Sequence, residues 1–242
     1  MQLAWKVTAV DAARIREFVR SRRSDPFARN RIARNVRGDR PALSVRRFWR
    51  GLLLGLLTTQ QRSGPSSAVA RFLVTRPFPL SYRRCCAARD PAALSLRALK
   101  AHGGIRRTQT IAGHVAQNLV VLRGGGWRNL LPALRVLESP HRRTMERLAA
   151  EVLAESFVGL GPKQSRNVLQ FLGLTRFEIP IDSRLVAWLN EFGFPIHLSA
   201  SALTDPNYYA FVSSGVQAVC RKAGVYLCVL NAAVFTSFDA DA

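Results

Sequence analysis

A lysine and an aspartate nineteen positions apart, Lys163 and Asp182, are the residues whose types and surroundings best suit chemistry. The chain has only four lysines among 32 arginines, so a lysine here indicates a need for an amine that can lose its proton, which arginine cannot do. A deprotonated amine is a nucleophile, and a carboxylate can stabilise positive charge or assist proton transfer. Two simpler interpretations stay open: Lys163 as a phosphate-binding residue without a catalytic role, and Asp182 as a helix cap, alone or in addition to a catalytic role.

The residues before the lysine, Phe157-Val158-Gly159-Leu160-Gly161-Pro162, lie between two predicted helices. Two glycines around an apolar residue permit a tight hairpin with unusual backbone angles, and Pro162 suits the first position of the next helix. The free N–H groups at such a helix start form an anion site. The pattern therefore predicts either a grip on one DNA phosphate or a plain turn between helices.

The charge balance favours a polyanionic partner. The formal net charge is +21, and residues 14–50 hold 13 arginines against three acids. Codon bias can explain arginine in place of lysine but not the scarcity of acids. Nucleic acid is the commonest partner of a protein with such a positive electrostatic field. A membrane surface is the rival, but no long predicted helix pairs a basic face with a clean apolar one, so we expect no membrane partner.

Helical spacing of apolar residues recurs along the chain, and strand signals are scarce. The sequence predicts an all-α protein of about ten helices without internal repeats or long linkers. Residues 25–40 are predicted to be a loop, a helix is predicted to open at Ser139-Pro140, and Gly124-Gly125-Gly126 is predicted to be a turn. We expect no signal peptide and no membrane span. The four cysteines do not form a disulfide framework, which indicates a reducing cytoplasm.

Together, these motifs resemble the helix–hairpin–helix DNA glycosylase superfamily, the group of endonuclease III and 8-oxoguanine DNA glycosylase. The resemblance covers about residues 45–195. Its specific part is Gly159-Leu160-Gly161-Pro162-Lys163 followed by Ile179-Pro180-Ile181-Asp182. Looser parts are Leu56 to Gln61, similar to a segment ending in the glutamine that fills the hole left by an extruded base, and the stretch from Gly104 through Asn118 to Leu122.

The resemblance implies two helical lobes with the active site in the cleft between them. Residues 63–175 would form a helical barrel lobe ending in the hairpin, and residues 1–62 with 176–242 would form the second lobe. The implied activity is that of a bifunctional DNA N-glycosylase and abasic-site lyase, with Lys163 as the Schiff-base nucleophile and Asp182 as its carboxylate. The alternatives are a monofunctional glycosylase, in which Asp182 activates water, and a noncatalytic protein that binds DNA or RNA.

The implied partner is double-stranded DNA containing a damaged or modified base. An oxidised purine such as 8-oxoguanine is the default substrate, an oxidised pyrimidine comes next, and a bulky modified base of phage DNA, which would indicate antiviral defence, is the third option. We expect a monomer associated with the nucleoid in the cytoplasm. The predicted DNA contacts are Gln60, Gln61, Arg62, Gly159, Gly161, Ser165 and Arg166. For Gln60 to Arg62 the alternative interpretation is a solvated helix end, and for Arg166 it is a side chain in solvent.

The sequence departs from the resemblance in its cysteines. Many endonuclease III relatives hold a C-terminal iron–sulfur cluster with four cysteines, whereas only Cys220 and Cys228 follow Asp182 here. We therefore expect no iron–sulfur cluster. The four histidines show no metal-ligand spacing, so no metal site is predicted. A monovalent cation at the hairpin carbonyls, common among relatives, remains compatible with the sequence.

Overall fold

The protein is all-α, as predicted. The computed structural model describes residues 4–64 and 66–239, and in these residues there are thirteen α-helices and no strand. The helices are α1 (Ala9–Arg22), α2 (Pro26–Arg31), α3 (Val45–Leu57), α4 (Ala68–Val74), α5 (Tyr82–Ala87), α6 (Pro91–His102), α7 (Thr108–Val121), α8 (Trp127–Val136), α9 (Arg143–Ser156), α10 (Pro162–Leu172), α11 (Ser183–Phe192), α12 (Pro206–Ala223) and α13 (Leu227–Asp239).

The chain divides into two compact units. The terminal unit comprises the described residues of Met1–Pro41, His141–Arg147 and Gly173–Ala242, and the central unit comprises those of Ala42–Pro140 and Leu148–Leu172. The predicted lobe boundaries differ from these: residues 42–62 were expected beside the termini. They belong to the central unit because α3 packs against α10, where Gly51 and Gly55 allow the close approach of Phe171 and Leu160.

The core of the terminal unit is formed by α1, α11, α12 and α13. Helix α1 packs against both α12 and α13, and α11 packs against α13. The start of α1 is fixed by a capping box, in which the side chains of Thr8 and Asp11 each accept from the other residue's backbone N–H group. Buried apolar side chains fill the space between these helices, among them Ile15, Leu185, Val212, Val216 and Leu230.

The loop predicted for residues 25–40 is wrong. Asp25 caps α2 by accepting from the N–H of Phe27 at 2.7 Å, and a π-helical turn, Ile32–Arg37, continues the helix. The Phe27 ring stacks on Phe235 at 4.6 Å between centroids, which attaches the segment to α13. Part of the arginine-rich block is therefore structural: burial lowers the pKa of Arg31 to about 10.

A buried carboxylate organises the turn that leads to α11. Glu146, fully buried in the first turn of α9, accepts from the N–H groups of Arg176 at 2.7 Å, Phe177 at 2.9 Å and Glu178 at 2.8 Å. Its carboxylate also contacts the ring of His141 at 2.8 Å. Because three consecutive amides point at one side chain, residues 176–178 are held in a fixed conformation.

Replacing Glu146 with alanine is expected to destabilise the protein by about 3–5 kcal/mol, since it leaves buried donors without an acceptor. Urea unfolding followed by circular dichroism measures the effect. Glu155→Ala on the exposed face of the same helix is the matched control and should change stability by less than about 0.5 kcal/mol. Equal unfolding midpoints for the two variants would contradict this role of Glu146.

Two further elements differ from prediction. Helix α9 begins at Arg143 rather than after Ser139-Pro140, because the ring of His141 is bonded to Glu146 and the chain before Arg143 is not helical. Helix α5 was not predicted. The turn predicted at Gly124-Gly125-Gly126 is present: Gly125 has a φ of 102°, which is not helical, and a kink there separates α7 from α8.

Candidate functional site

The hairpin before α10 is built from the central unit's core outward. Phe157 and Leu160 are buried, and Leu160 packs beside Gly55 of α3. Asn118 of α7 holds the backbone of Val158 with two hydrogen bonds: its Nδ2 donates to the carbonyl at 2.9 Å, and its Oδ1 accepts from the N–H at 2.8 Å. The hairpin is thus fixed from inside, and its Gly161 is exposed.

Gly159 occupies a position that only glycine fits well. Its φ is 84°, and a Cβ there would lie 2.4 Å from Nδ1 of His114 and 2.7 Å from Cδ2 of Leu56. Gly161 differs, because a Cβ there would meet nothing within 4 Å. The two glycines therefore serve different purposes: the first allows the turn and its packing, and the second leaves open space at the start of α10.

Gly159→Ala is expected to cost about 2–4 kcal/mol of stability, from its left-handed backbone and its contacts with α7 and α3. Thermal unfolding checks this. Gly161→Ala is the matched control and should cost no more than about 1 kcal/mol. If both variants melted alike, the close packing at Gly159 would not be important for stability.

Lys163 is the second residue of α10 and is half-buried. Two of its neighbours were predicted to contact DNA, and both have buried side chains in the structure. Ser165 is fully buried and its hydroxyl donates to the carbonyl of Pro162 at 3.1 Å. The Arg166 guanidinium donates to the same carbonyl at 2.9 Å and is 7% exposed. Both side chains turn inward because they occupy the face of α10 that is packed, and they stabilise its first turn.

Gln164 connects α10 to the glutamine turn, residues 58–62 after α3. Its Nε2 donates to Oγ1 of Thr59 at 3.0 Å, and its Oε1 accepts from Oγ1 of Thr58 at 3.3 Å. It is 5% exposed, so these bonds form away from bulk solvent. The glutamine turn and the start of α10 are thereby fixed relative to each other within the central unit.

The three predicted DNA contacts in this turn separate into two kinds. Gln61 is used by the fold: its Nε2 donates to the carbonyl of Leu57, and its Oε1 accepts from the N–H of Arg106 at 2.9 Å. Gln60 and Arg62 are exposed. Gln60 has a φ of 54°, an uncommon value for a residue other than glycine, at the end of a helix. The structure therefore favours Gln60 over Gln61 as the side chain available to a ligand.

Asp182 lies in the terminal unit at the start of α11. Its Oδ1 accepts from the N–H groups of Arg184 and Leu185, each at 3.1 Å, so the predicted N-cap is present. Its Oδ2 lies 3.8 Å from Nε of Arg184, and the side chain is 21% exposed. One carboxylate oxygen is thus committed to the helix, while the other lies beside a cation at the surface of the unit.

The segment before Asp182 is clamped by a tyrosine that sequence reasoning missed. The hydroxyl of Tyr209 accepts from the N–H of Ile181 at 2.9 Å and donates to the carbonyl of Ile179 at 2.7 Å. A buried hydroxyl bridging two backbone groups holds an extended strand-like segment without a partner strand. With the Glu146 cluster upstream, it fixes the backbone on which Asp182 is carried.

Other side chains of the site were also missed. His114 lies against the hairpin at Gly159, and burial, together with the charge of Arg107, lowers its pKa. Asn118 contributed to the resemblance, but no role could be assigned to it. The signal that could have found both is their spacing: they are four residues apart, which places them on one face of α7.

The described residues offer no built metal centre. No group of three or more histidine, cysteine, aspartate or glutamate side chains among them could hold an ion. Cys220 and Cys228 are buried free thiols, and burial raises the pKa of Cys228 to about 12. A thiol of such pKa stays protonated at neutral pH and is a poor ligand in that form.

This all-helical chain, with a Gly-x-Gly hairpin before the lysine-bearing helix, has the fold of solved 8-oxoguanine DNA glycosylase structures. Among solved structures it is similar to the 8-oxoguanine DNA glycosylase of Methanocaldococcus jannaschii, with 15% identity and a TM-score of 0.63 over 93% of this chain and 91% of that chain. It is also similar to the 8-oxoguanine glycosylase/lyase of the same organism in complex with a 15mer DNA containing 8-oxoguanine, with 14% identity and a TM-score of 0.65 over 92% and 95%.

At these identities the likeness concerns the fold. No protein-family model and no curated protein matches the chain. In the described residues, no single helix is long and apolar enough to cross a membrane, and the one helix pair that passes on length and composition is bent by 103°.

Proposed function

We propose that this protein is a DNA N-glycosylase with abasic-site lyase activity. The observation that carries the proposal is Lys163 at the start of α10, directly after a hairpin fixed by Asn118 and Leu160, in a chain with the glycosylase fold. Lysine is rare in this sequence, and a Schiff base needs a primary amine that can lose its proton, which lysine supplies and arginine does not.

The chemistry needs the target nucleotide outside the duplex, since the sugar carbon is shielded when the base is stacked. The hairpin amides would hold one backbone phosphate, and Gln60 would enter the space that the base leaves. Nζ of Lys163 then bonds to C1′ while the bond from C1′ to the base breaks. The base departs with the electron pair and takes up a proton.

Asp182 would stabilise the positive charge that develops on the sugar as the base departs. Opening of the sugar ring converts the new bond into an imine between Nζ and C1′. Loss of a proton from C2′ then expels the 3′ phosphate and cuts the strand, and water releases the lysine. In the monofunctional alternative, Asp182 activates water, and no covalent intermediate forms.

An oxidised purine is the substrate class we infer. The support is the similarity to two structures of an 8-oxoguanine glycosylase, one of them holding DNA that contains the lesion. A bulky modified base of phage DNA is a narrower hypothesis, which the excess of exposed arginines in α1 would suit because they widen the electrostatic footprint on the duplex.

A panel of duplexes tests the proposal, each carrying one base: 8-oxoguanine, an oxidised pyrimidine, a hydroxymethylated or glucosylated cytosine, or an abasic site. Base release is followed by chromatography, and borohydride captures any imine. Release with a captured adduct supports the lyase. Release alone supports the monofunctional alternative, and salt-sensitive binding with neither leaves a noncatalytic DNA-binding protein.

The open space at Gly161 gives a separate test of the hairpin as a phosphate grip. Gly161→Ala should lower duplex affinity by about tenfold, because a methyl group there obstructs the approach of a phosphate to the amides, and a hydrogen bond to a charged group contributes about 1.5–3 kcal/mol. Fluorescence anisotropy of a labelled duplex measures this. Gly113→Ala, on α7 and equally open, is the control; a drop of equal size in both variants would count against the grip.

A further inference from the structure

A cavity of about 820 Å³ opens in the terminal unit, between the end of α12, the start of α13 and the residues before α1. This volume is in the range of small-molecule sites. The described residues that line it include no acid. The lining residues relevant to a ligand are Trp5, Arg143, Phe177, Gln217, Arg221 and Tyr226.

The cavity is separate from the surroundings of Asp182. Arg184, which lies beside Asp182, has its guanidinium 4.2 Å from the centre of the Phe235 ring. Leu227, the first residue of α13, lines the cavity, and Phe235 follows it by eight residues, so the two lie about 12 Å apart along α13 at the helical rise per residue. The cavity is therefore at one end of α13, and Asp182 is near the other.

Aromatic side chains form the walls of the cavity. The rings of Phe177 and Tyr226 meet edge to face, 5.7 Å apart at 63°, and Tyr226 is 40% exposed. Trp5 also lines the cavity, and its indole is fixed: Nε1 donates to Oγ of Ser214 at 3.2 Å, and the Phe211 ring lies 5.0 Å away between centroids. Fixed, partly exposed rings suit the stacking of a flat heterocycle.

Polar groups in the cavity are oriented before a ligand arrives. Nε2 of Gln217 donates to the carbonyl of Phe177 at 3.0 Å and to Oε1 of Glu178 at 3.1 Å. This leaves Oε1 of Gln217 without a donor from the described residues, so it can accept from an exocyclic amine. Arg143 lies 3.3 Å from the buried Glu178, which holds it at the rim, and Arg221 is exposed in the last turn of α12.

We propose that this cavity binds a nucleotide. The heterocycle would stack on Tyr226 and Phe177 with an exocyclic amine on Gln217, and the phosphate would bind Arg143 and Arg221. Planar aromatic walls, one oriented acceptor and two cations without an acid in the lining match a base and a phosphate and match no purely apolar ligand. The nucleotide can come from solution or can be an unpaired nucleotide of a DNA strand. The proposal does not depend on Lys163.

Calorimetric titration with deoxyguanosine 5′-monophosphate tests the solution source, and a duplex with one bulged guanosine nucleotide tests the strand source. Tyr226→Ala should weaken binding by about tenfold or more through lost stacking. Arg221→Ala should weaken binding of the nucleotide by a similar factor but should leave the affinity for the uncharged nucleoside, deoxyguanosine, unchanged. Lys222→Ala, exposed on the same helix turn and outside the cavity, is the matched control.

Saturable binding of the monophosphate that falls in Tyr226→Ala supports a free nucleotide. Affinity of the bulged duplex that falls in Tyr226→Ala, without binding of the monophosphate at millimolar concentration, supports the strand. If neither probe responds to Tyr226→Ala or Arg221→Ala while both variants keep the wild-type melting temperature, the proposal is wrong. Base release is measured in a separate experiment and does not depend on this cavity, so either proposal can fail alone.

Discussion

Lys163→Arg is expected to abolish the borohydride-captured adduct and to slow base release by a factor on the order of 10³, while duplex affinity stays within about twofold. Arginine keeps the positive charge at the start of α10 but does not lose its proton, so it can bind a phosphate and cannot attack C1′. Gel analysis of the adduct, single-turnover kinetics and anisotropy titration measure the three quantities.

This substitution separates the two interpretations of Lys163 because they predict opposite outcomes. A phosphate-binding lysine would tolerate arginine, and the adduct, if formed, would come from another amine. A second substitution, Lys163→Gln, removes the positive charge. If Lys163 contacts one phosphate, the slope of log affinity against log salt concentration should become shallower by about 0.9. Lys100→Arg, at an exposed position of α6, controls for lysine replacement as such. An adduct that survives in Lys163→Arg would contradict the proposed nucleophile.

The elements that the sequence predicts well carry local signals. Asp90-Pro91 and Asp205-Pro206 each place a capping carboxylate before a proline, which is a local signal for a helix start, and α6 and α12 begin at these prolines. The hairpin also carries a local signal, since glycine permits a positive φ that other residues rarely adopt, and Gly159 has a φ of 84°. In these cases a few neighbouring residues decide the conformation, so a single sequence contains enough information.

An arginine-rich composition can obscure the aspartate-proline signal for a helix start. Asp25-Pro26 is also a cap followed by proline, yet the surrounding arginines led to the prediction of a loop. The helix forms there because Phe27 stacks on Phe235, 208 positions further along the chain. Such a contact cannot be inferred from the spacing of residues within the segment. The inward direction of Arg166 has the same origin: its residue type suggests a phosphate contact, and only tertiary packing decides which face of α10 is buried.

In the candidate site, too, some features follow from local sequence signals and others depend on tertiary contacts. The positions of Lys163 and Asp182 at the starts of α10 and α11 follow from their flanking residues. The groups that hold the segment before Asp182, Tyr209 and Glu146, are about 30 residues from the backbone groups they bond. A tyrosine or a glutamate in a helix carries no local sign of such a partner, so these roles require the structure.

Asp182→Asn is expected to lower the rate of base release by about 10²–10⁴-fold with little change in stability. Asparagine caps a helix about as well as aspartate, so Oδ1 can still accept from Arg184 and Leu185, while the negative charge is lost. Asp182→Ala should lower the rate of base release to a similar extent and should also cost about 1 kcal/mol of stability, because the helix cap is missing. Single-turnover excision and thermal unfolding of both variants measure the two effects.

The chain supplies its own control for this experiment. Asp205 caps α12 with the same geometry, its Oδ1 accepting from the N–H groups of Asn207 at 2.7 Å and Tyr208 at 3.0 Å. Asp205→Asn should therefore leave both excision and stability unchanged, and Asp205→Ala should lose the cap alone. If Asp182→Asn kept the wild-type rate as Asp205→Asn does, the Asp182 carboxylate would be only a helix cap, and the developing charge on the sugar would need another partner. A selective loss in Asp182→Asn instead assigns the effect to the charge, because the asparagine retains the hydrogen bonds that the two caps share.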